Sequence, residues 1–72
     1  MNTKPYQVAR STDKSLVHRK WNHLGTFHAF SFRSAAYMVA VQCGLKGDIV
    51  AEHCGPGGAI FEFPGNEFLC VN

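Results

Sequence analysis

The segment from Ser31 to Gly44 leaves the chain the least freedom, because it alone is long enough and periodic enough to be a helix while the remainder reads as strand and turn. Ser31 suits an N-cap: its hydroxyl can accept one of the backbone N–H groups that a helix start leaves without a partner. Twelve residues, Phe32 to Cys43, follow without a glycine or proline, and Gly44 suits the left-handed residue that closes a helix. At about 3.6 residues per turn, Phe32, Ala35, Ala36, Val39 and Cys43 gather on one side, a stripe that has to be buried against something. The opposite side ought to be polar. It carries Tyr37 and Val41 instead, with Met38 at its border and Arg33, Ser34 and Gln42 between them. Such a face reads either as a contact surface or as scattered exposed hydrophobes, which are ordinary.

The partner of that stripe has to come from strands. Lys4 to Arg10 alternates, with Tyr6 and Val8 on one side and Gln7 and Ala9 on the other, and forms a first strand led in by Pro5. Leu24 to Phe30 is aromatic and β-prone and forms a second, though Phe27 and Phe30 sit at positions of opposite parity and the pattern leaves open which one is inside. A hairpin connection between the two, running straight into the Ser31 cap, gives a β-β-α start. After the Leu45–Lys46–Gly47 turn, Asp48 to Cys54 alternates as a third strand. Gly55–Pro56–Gly57–Gly58 is a turn by composition. Ala59 to Phe63 then places Ala59, Phe61 and Phe63 opposite Ile60 and Glu62, and past Pro64–Gly65–Asn66 a last strand, Glu67 to Val71, places Phe68 and Cys70 opposite Leu69 and Val71. The expected fold is α+β: a four- to five-stranded antiparallel sheet in the order β-β-α-β-β-β, with one helix packed on one face.

A chain of 72 residues makes a single domain, 1–72, near the lower size at which a core holds a fold without staples. The three cysteines, Cys43, Cys54 and Cys70, are odd in number and irregular in spacing, so they read as small hydrophobes in a reducing compartment rather than a disulfide framework. With no apolar run of membrane-spanning length and no signal-peptide core, the expected location is the cytoplasm, with no membrane contact. Charge is unevenly spread. Residues 1–33 hold six cations against one acid, a balance of +5, and residues 34–72 hold one cation against four acids, a balance of −3.

The residues with chemical potential do not form a catalytic or metal pattern. Zinc sites usually draw two ligands from one short knuckle, and the cysteines and histidines show no such pair; His18, His23 and His28 recur every fifth residue, which suits neither a helix face nor a strand face. His53 and Cys54 are adjacent on a strand and therefore point to opposite faces, so they cannot act as a thiol–imidazole pair. The Gly55–Gly58 run precedes a strand, whereas a phosphate-cradling loop precedes a helix. The expectation is no enzyme, no metal and no cofactor.

A cationic set is the stronger signal. Arg10, Lys14, Arg19, Lys20 and Arg33, with Trp21, His18 and His23 interleaved, can track phosphates or meet an acidic protein, or can be a solvated loop. Most of these residues lie in Ser11–His23, which reads as a long basic loop or hairpin tip.

Gly25–Thr26 at the second strand, the serine cap Ser31, Ala35 one turn in, and Gly47 followed by the apolar Ile49 and Val50 resemble the small phage anti-CRISPR proteins, in particular one that inhibits the type I-F surveillance complex. That resemblance covers less than half of the chain. It implies a compact β-β-α-β-β-β inhibitor that docks on protein subunits of a crRNA-guided complex and blocks the path of target DNA. The longer basic segment and the Gly-Pro-Gly-Gly turn depart from the pattern and leave the defence system open. In such an inhibitor, Arg10, Lys14, Arg19, Lys20 and Arg33 supply steering and charge pairs, Trp21 and Tyr37 supply aromatic anchors, and Val41 belongs to the contact face. Two rivals remain at this point: a small nucleic-acid-binding module using residues 10–33, and a structural or assembly protein that dimerises through the outer helix face.

Overall fold

The computed structural model describes residues 2–12 and 20–72. Its elements run β1 (Lys4–Ser11), β2 (Asn22–Ala29), α1 (Phe32–Cys43), β3 (Ala51–Gly55), β4 (Gly58–Phe63) and β5 (Glu67–Val71). The five strands form one sheet in the order β2-β1-β5-β4-β3, with every neighbour antiparallel. This is the α+β arrangement expected from the sequence. The pairing of β1 with β5 closes the sheet through its middle, Val8 lying opposite Val71 and Arg10 opposite Leu69, and Gln7 and Asn72 exchange backbone hydrogen bonds at 2.9 and 3.0 Å just beyond the ladder.

Both ends of α1 follow from local chemistry. Ser31 sits in extended backbone and its Oγ accepts the Ser34 N–H at 3.1 Å. Gly44 takes the left-handed conformation, φ 74°, where its N–H bonds the Val41 carbonyl at 3.2 Å while the Leu45 N–H reaches back to Ala40 at 2.9 Å. That pair of bonds is a Schellman stop, and Leu45 completes it by packing against the core.

The buried side of α1 is Ala35, Ala36, Val39 and Ala40: the first three belong to the expected stripe, Ala40 joins it, and Phe32 and Cys43 at its ends are less buried. Phe32 is 36% exposed and rests edge-on against Tyr6 with ring centroids 5.2 Å apart, while Cys43 is half-buried. Bulk on the other side of the interface explains the difference. The sheet contributes Phe61, Phe63, Leu69, Val8 and Val71, all essentially buried, so the helix meets it with its smallest side chains. α1 lies over β2, β1, β5 and β4, and β3 stands outside that footprint as an edge.

Four strands differ from expectation in their bounds, β4 only in starting at Gly58 rather than Ala59. β3 starts at Ala51 rather than Asp48, because the Asp48 carboxylate accepts the Ile49 N–H at 2.7 Å and holds that segment out of the ladder; only the Val50 N–H reaches the Glu62 carbonyl, at 2.8 Å. β2 runs Asn22–Ala29 rather than Leu24–Phe30, its first residue lying opposite Arg10, and a bulge between Val8 and Ala9 of the register leaves Leu24 as the extra residue. Ser11 extends β1, so the segment expected as a loop loses its two ends to strands; residues 13–19, including Lys14, His18 and Arg19, lie outside the described residues. The parity of β2 also settles the two phenylalanines: Phe27 packs on the core and Phe30 is 59% exposed. Among the described residues no helix is long and apolar enough to cross a membrane.

Candidate partner-binding surface

The residues expected to touch a partner fall into three groups. Arg10 lies on the helix side of β1, where Nε and Nη2 donate to Glu67 Oε2 at 3.1 and 2.5 Å. That bond to Glu67 raises the Arg10 pKa, so the guanidinium stays charged. The pair is partly buried and joins β1 to the start of β5, which makes Arg10 a structural cation first.

Arg33 and Tyr37, one turn apart on α1, belong to a second network. The Tyr37 hydroxyl donates to Asp48 Oδ1 and accepts from Arg33 Nη2 at 3.4 Å, while Arg33 Nη1 stands 3.6 Å from Glu52 of β3. The guanidinium also lies 5.6 Å from the centre of the Tyr37 ring, whose opposite contact is Phe63, edge-on at 6.5 Å. The bond from Tyr37, then the one from the Ile49 N–H, holds the Asp48 carboxyl below its ordinary pKa; the bond to Tyr37 likewise raises that of Arg33. These contacts tie the helix to the strand that its backbone does not cover. Arg33 and Tyr37 thus act as a brace, Arg33 exposed and Tyr37 half-buried.

The third group lies at the surface beside these networks. Val41 is 80% exposed at the centre of the outer helix face, and Met38, 38% exposed, is its neighbour one turn back. With half-buried Tyr37, also one turn from Val41, they form a continuous apolar strip on a helix capped at both ends. Lys20 is exposed and Trp21 half-buried, immediately before β2. β2 is one edge of the sheet, and Tyr37 braces toward β3, the other edge, so Lys20 and Trp21 stand apart from the helix strip, and Arg33 is the cation beside it.

Sequence reasoning placed Met38 only at the border of this face, left Phe30 open against Phe27 and missed Val50; Phe30 and Val50 are 59% and 61% exposed. A signal was available for Phe30: the residue between a strand end and an N-cap belongs to neither packed face. His53 and Cys54 occupy consecutive positions opposite Ile60 and Ala59 and are both exposed. A shallow cavity of about 410 Å³ lies by the β3–β4 turn, lined in part by His53, Ile60, Cys70 and Asn72. Burial pushes the Cys70 thiol pKa up, which keeps it protonated and a poor nucleophile or metal ligand. Among the described residues no three metal-ligating side chains come together. No protein-family model, curated protein or solved structure matches the chain.

Proposed function

We propose that this protein is a small phage-encoded inhibitor of a host defence system, an anti-CRISPR that docks on a protein subunit of a crRNA-guided surveillance complex and keeps target DNA out by occlusion. The observation that carries this reading is the strip Met38 and Val41 beside half-buried Tyr37: apolar surface held outward on a doubly capped helix, with Val41 80% exposed. A monomer gains nothing from an apolar strip facing water, whereas a protein partner gains from burying it. The rigid helix loses little freedom on docking, and exposed Arg33 beside the strip offers a charged rim contact. Resemblance at Gly25–Thr26, Ser31, Ala35, Gly47 and Ile49–Val50 selects the crRNA-guided machinery among protein partners.

The test is phage plating on a host with an active type I-F system that targets the phage. Expression of the protein restores plaque formation, and expression of the Val41→Glu variant does not. Plating that stays suppressed with the parent protein present at comparable level rejects the type I-F assignment, and the same failure across other crRNA-guided types rejects the function.

A further inference from the structure

We propose that the cleft at the loop end of the β1–β2 hairpin, where β1 ends and β2 begins, takes a phosphate group of a nucleic-acid strand. The cleft holds about 350 Å³ and is lined among the described residues by Arg10, Ser11, Thr12, Lys20 and Asn22. Two of the five are cations, exposed Thr12 and Asn22 bring a hydroxyl and an amide, Ser11 is buried and already engaged, and none is a carboxylate. Phosphate oxygens are met by this mixture: a charge to replace lost counterions and neutral donors to fix orientation. Lys20 is exposed and makes no ion pair among the described residues. Arg10 gives two of its five N–H groups to Glu67 and keeps a fork with donors to spare.

The surroundings favour a polyanion over a lone ion. β1 and β2 carry Lys4 and Arg10, with His23 and His28, and no acid, whereas β3, β4 and β5 each carry one glutamate. A strand laid along the β1–β2 edge therefore passes cations, and the acid beside the cleft, Glu67, is already paired with Arg10. The site stands apart from the outer helix face, and its test needs no surveillance complex.

Fluorescence anisotropy of a labelled thymidine oligonucleotide, titrated with the protein at several sodium chloride concentrations, decides the matter. Binding weakens as salt rises, and Lys20→Gln reduces the log–log salt slope by about one unit. Glu67→Gln releases Arg10 and tightens binding; because that variant also loses a stabilising pair, Lys20→Gln is the deciding substitution. Inorganic phosphate at the same phosphate concentration leaves the oligonucleotide bound. The proposal is overturned by an oligonucleotide that fails to bind at low salt, by a Lys20→Gln protein with unchanged slope and affinity, or by inorganic phosphate that displaces the strand at parity, which would assign the cleft to the free ion.

Discussion

Replacing Ala36 by leucine probes the feature on which the fold depends, the near approach of a small-residue helix face to an aromatic sheet. Ala36 has no exposed surface, and Ala35, Val39 and Ala40 beside it are equally enclosed, so three added carbons have no space to enter. Leucine forms helix nearly as well as alanine, which removes propensity as a cause of any loss. Overpacking a well-filled core costs about 1–3 kcal/mol, and this site belongs at the upper end because Phe61 and Phe63 fill the sheet side of the same cluster. A chain of 72 residues has roughly 4–11 kcal/mol in total, so the loss is a large share of its stability. Urea unfolding followed by circular dichroism should show the midpoint falling by about 1–3 M at an unchanged slope near 1 kcal/mol/M. Val41→Leu, with Val41 80% exposed on the opposite side of the helix, should stay within about 0.5 kcal/mol of the parent. An Ala36→Leu protein as stable as the Val41→Leu control would refute the close approach.

Further outcomes follow from single contacts. Ser31→Ala removes the acceptor of the Ser34 N–H and should lower stability by about 1 kcal/mol in the same urea experiment. Gly58→Ala sets a Cβ 2.8 Å from the Val71 carbonyl oxygen and beside the Asn72 amide, so β4 has to move from β5; a loss of about 1–3 kcal/mol is expected, and a neutral variant would contradict the tight edge. The Asp48 carboxyl has a folded-state pKa below its ordinary value, chiefly because Tyr37 bonds its ionised form. Its contribution is therefore complete above the unfolded-state pKa of about 3.9 and fades as pH falls through the lower folded-state value. Melting temperatures between about pH 5 and pH 2 should fall less steeply for Asp48→Asn than for the parent, and parallel profiles would show that the Tyr37 bond does not form in solution.

What the sequence reveals of this fold is what neighbouring residues decide. Ser31 and Gly44 mark the helix ends because capping is a matter of a few adjacent backbone groups, and the alternation Ala59, Phe61, Phe63 reads directly as a buried strand face. Pairing between distant strands is not local. Nothing near Val8 announces Val71, so the central β1–β5 contact and the resulting strand order emerge only in the folded chain. Helix-face orientation fell short for a related reason: Phe32 looks like core by hydrophobicity, but the sheet already supplies the bulk and the helix turns Ala40 inward.

The candidate surface was legible in part. Val41 stands outward as its place on the helix implies, while charge counting overstated the free cations. Arg10 meets Glu67, 57 positions away, and Arg33 meets Tyr37, Asp48 and Glu52. A count of cations cannot show which ones a fold has already paired, and Lys20 is the member of the set that has no such partner among the described residues.

The account turns on the outer helix strip being the docking surface of a DNA-occluding inhibitor. Its most direct measurement is the fraction of labelled target duplex bound by a purified type I-F surveillance complex at saturating inhibitor. The parent protein should empty the complex of DNA, and Val41→Glu, which places a charge in the buried contact, should weaken inhibition by about thirtyfold, or about 2 kcal/mol. DNA occupancy unaffected by the parent protein, or a Val41→Glu variant that inhibits at the same concentration, would contradict it.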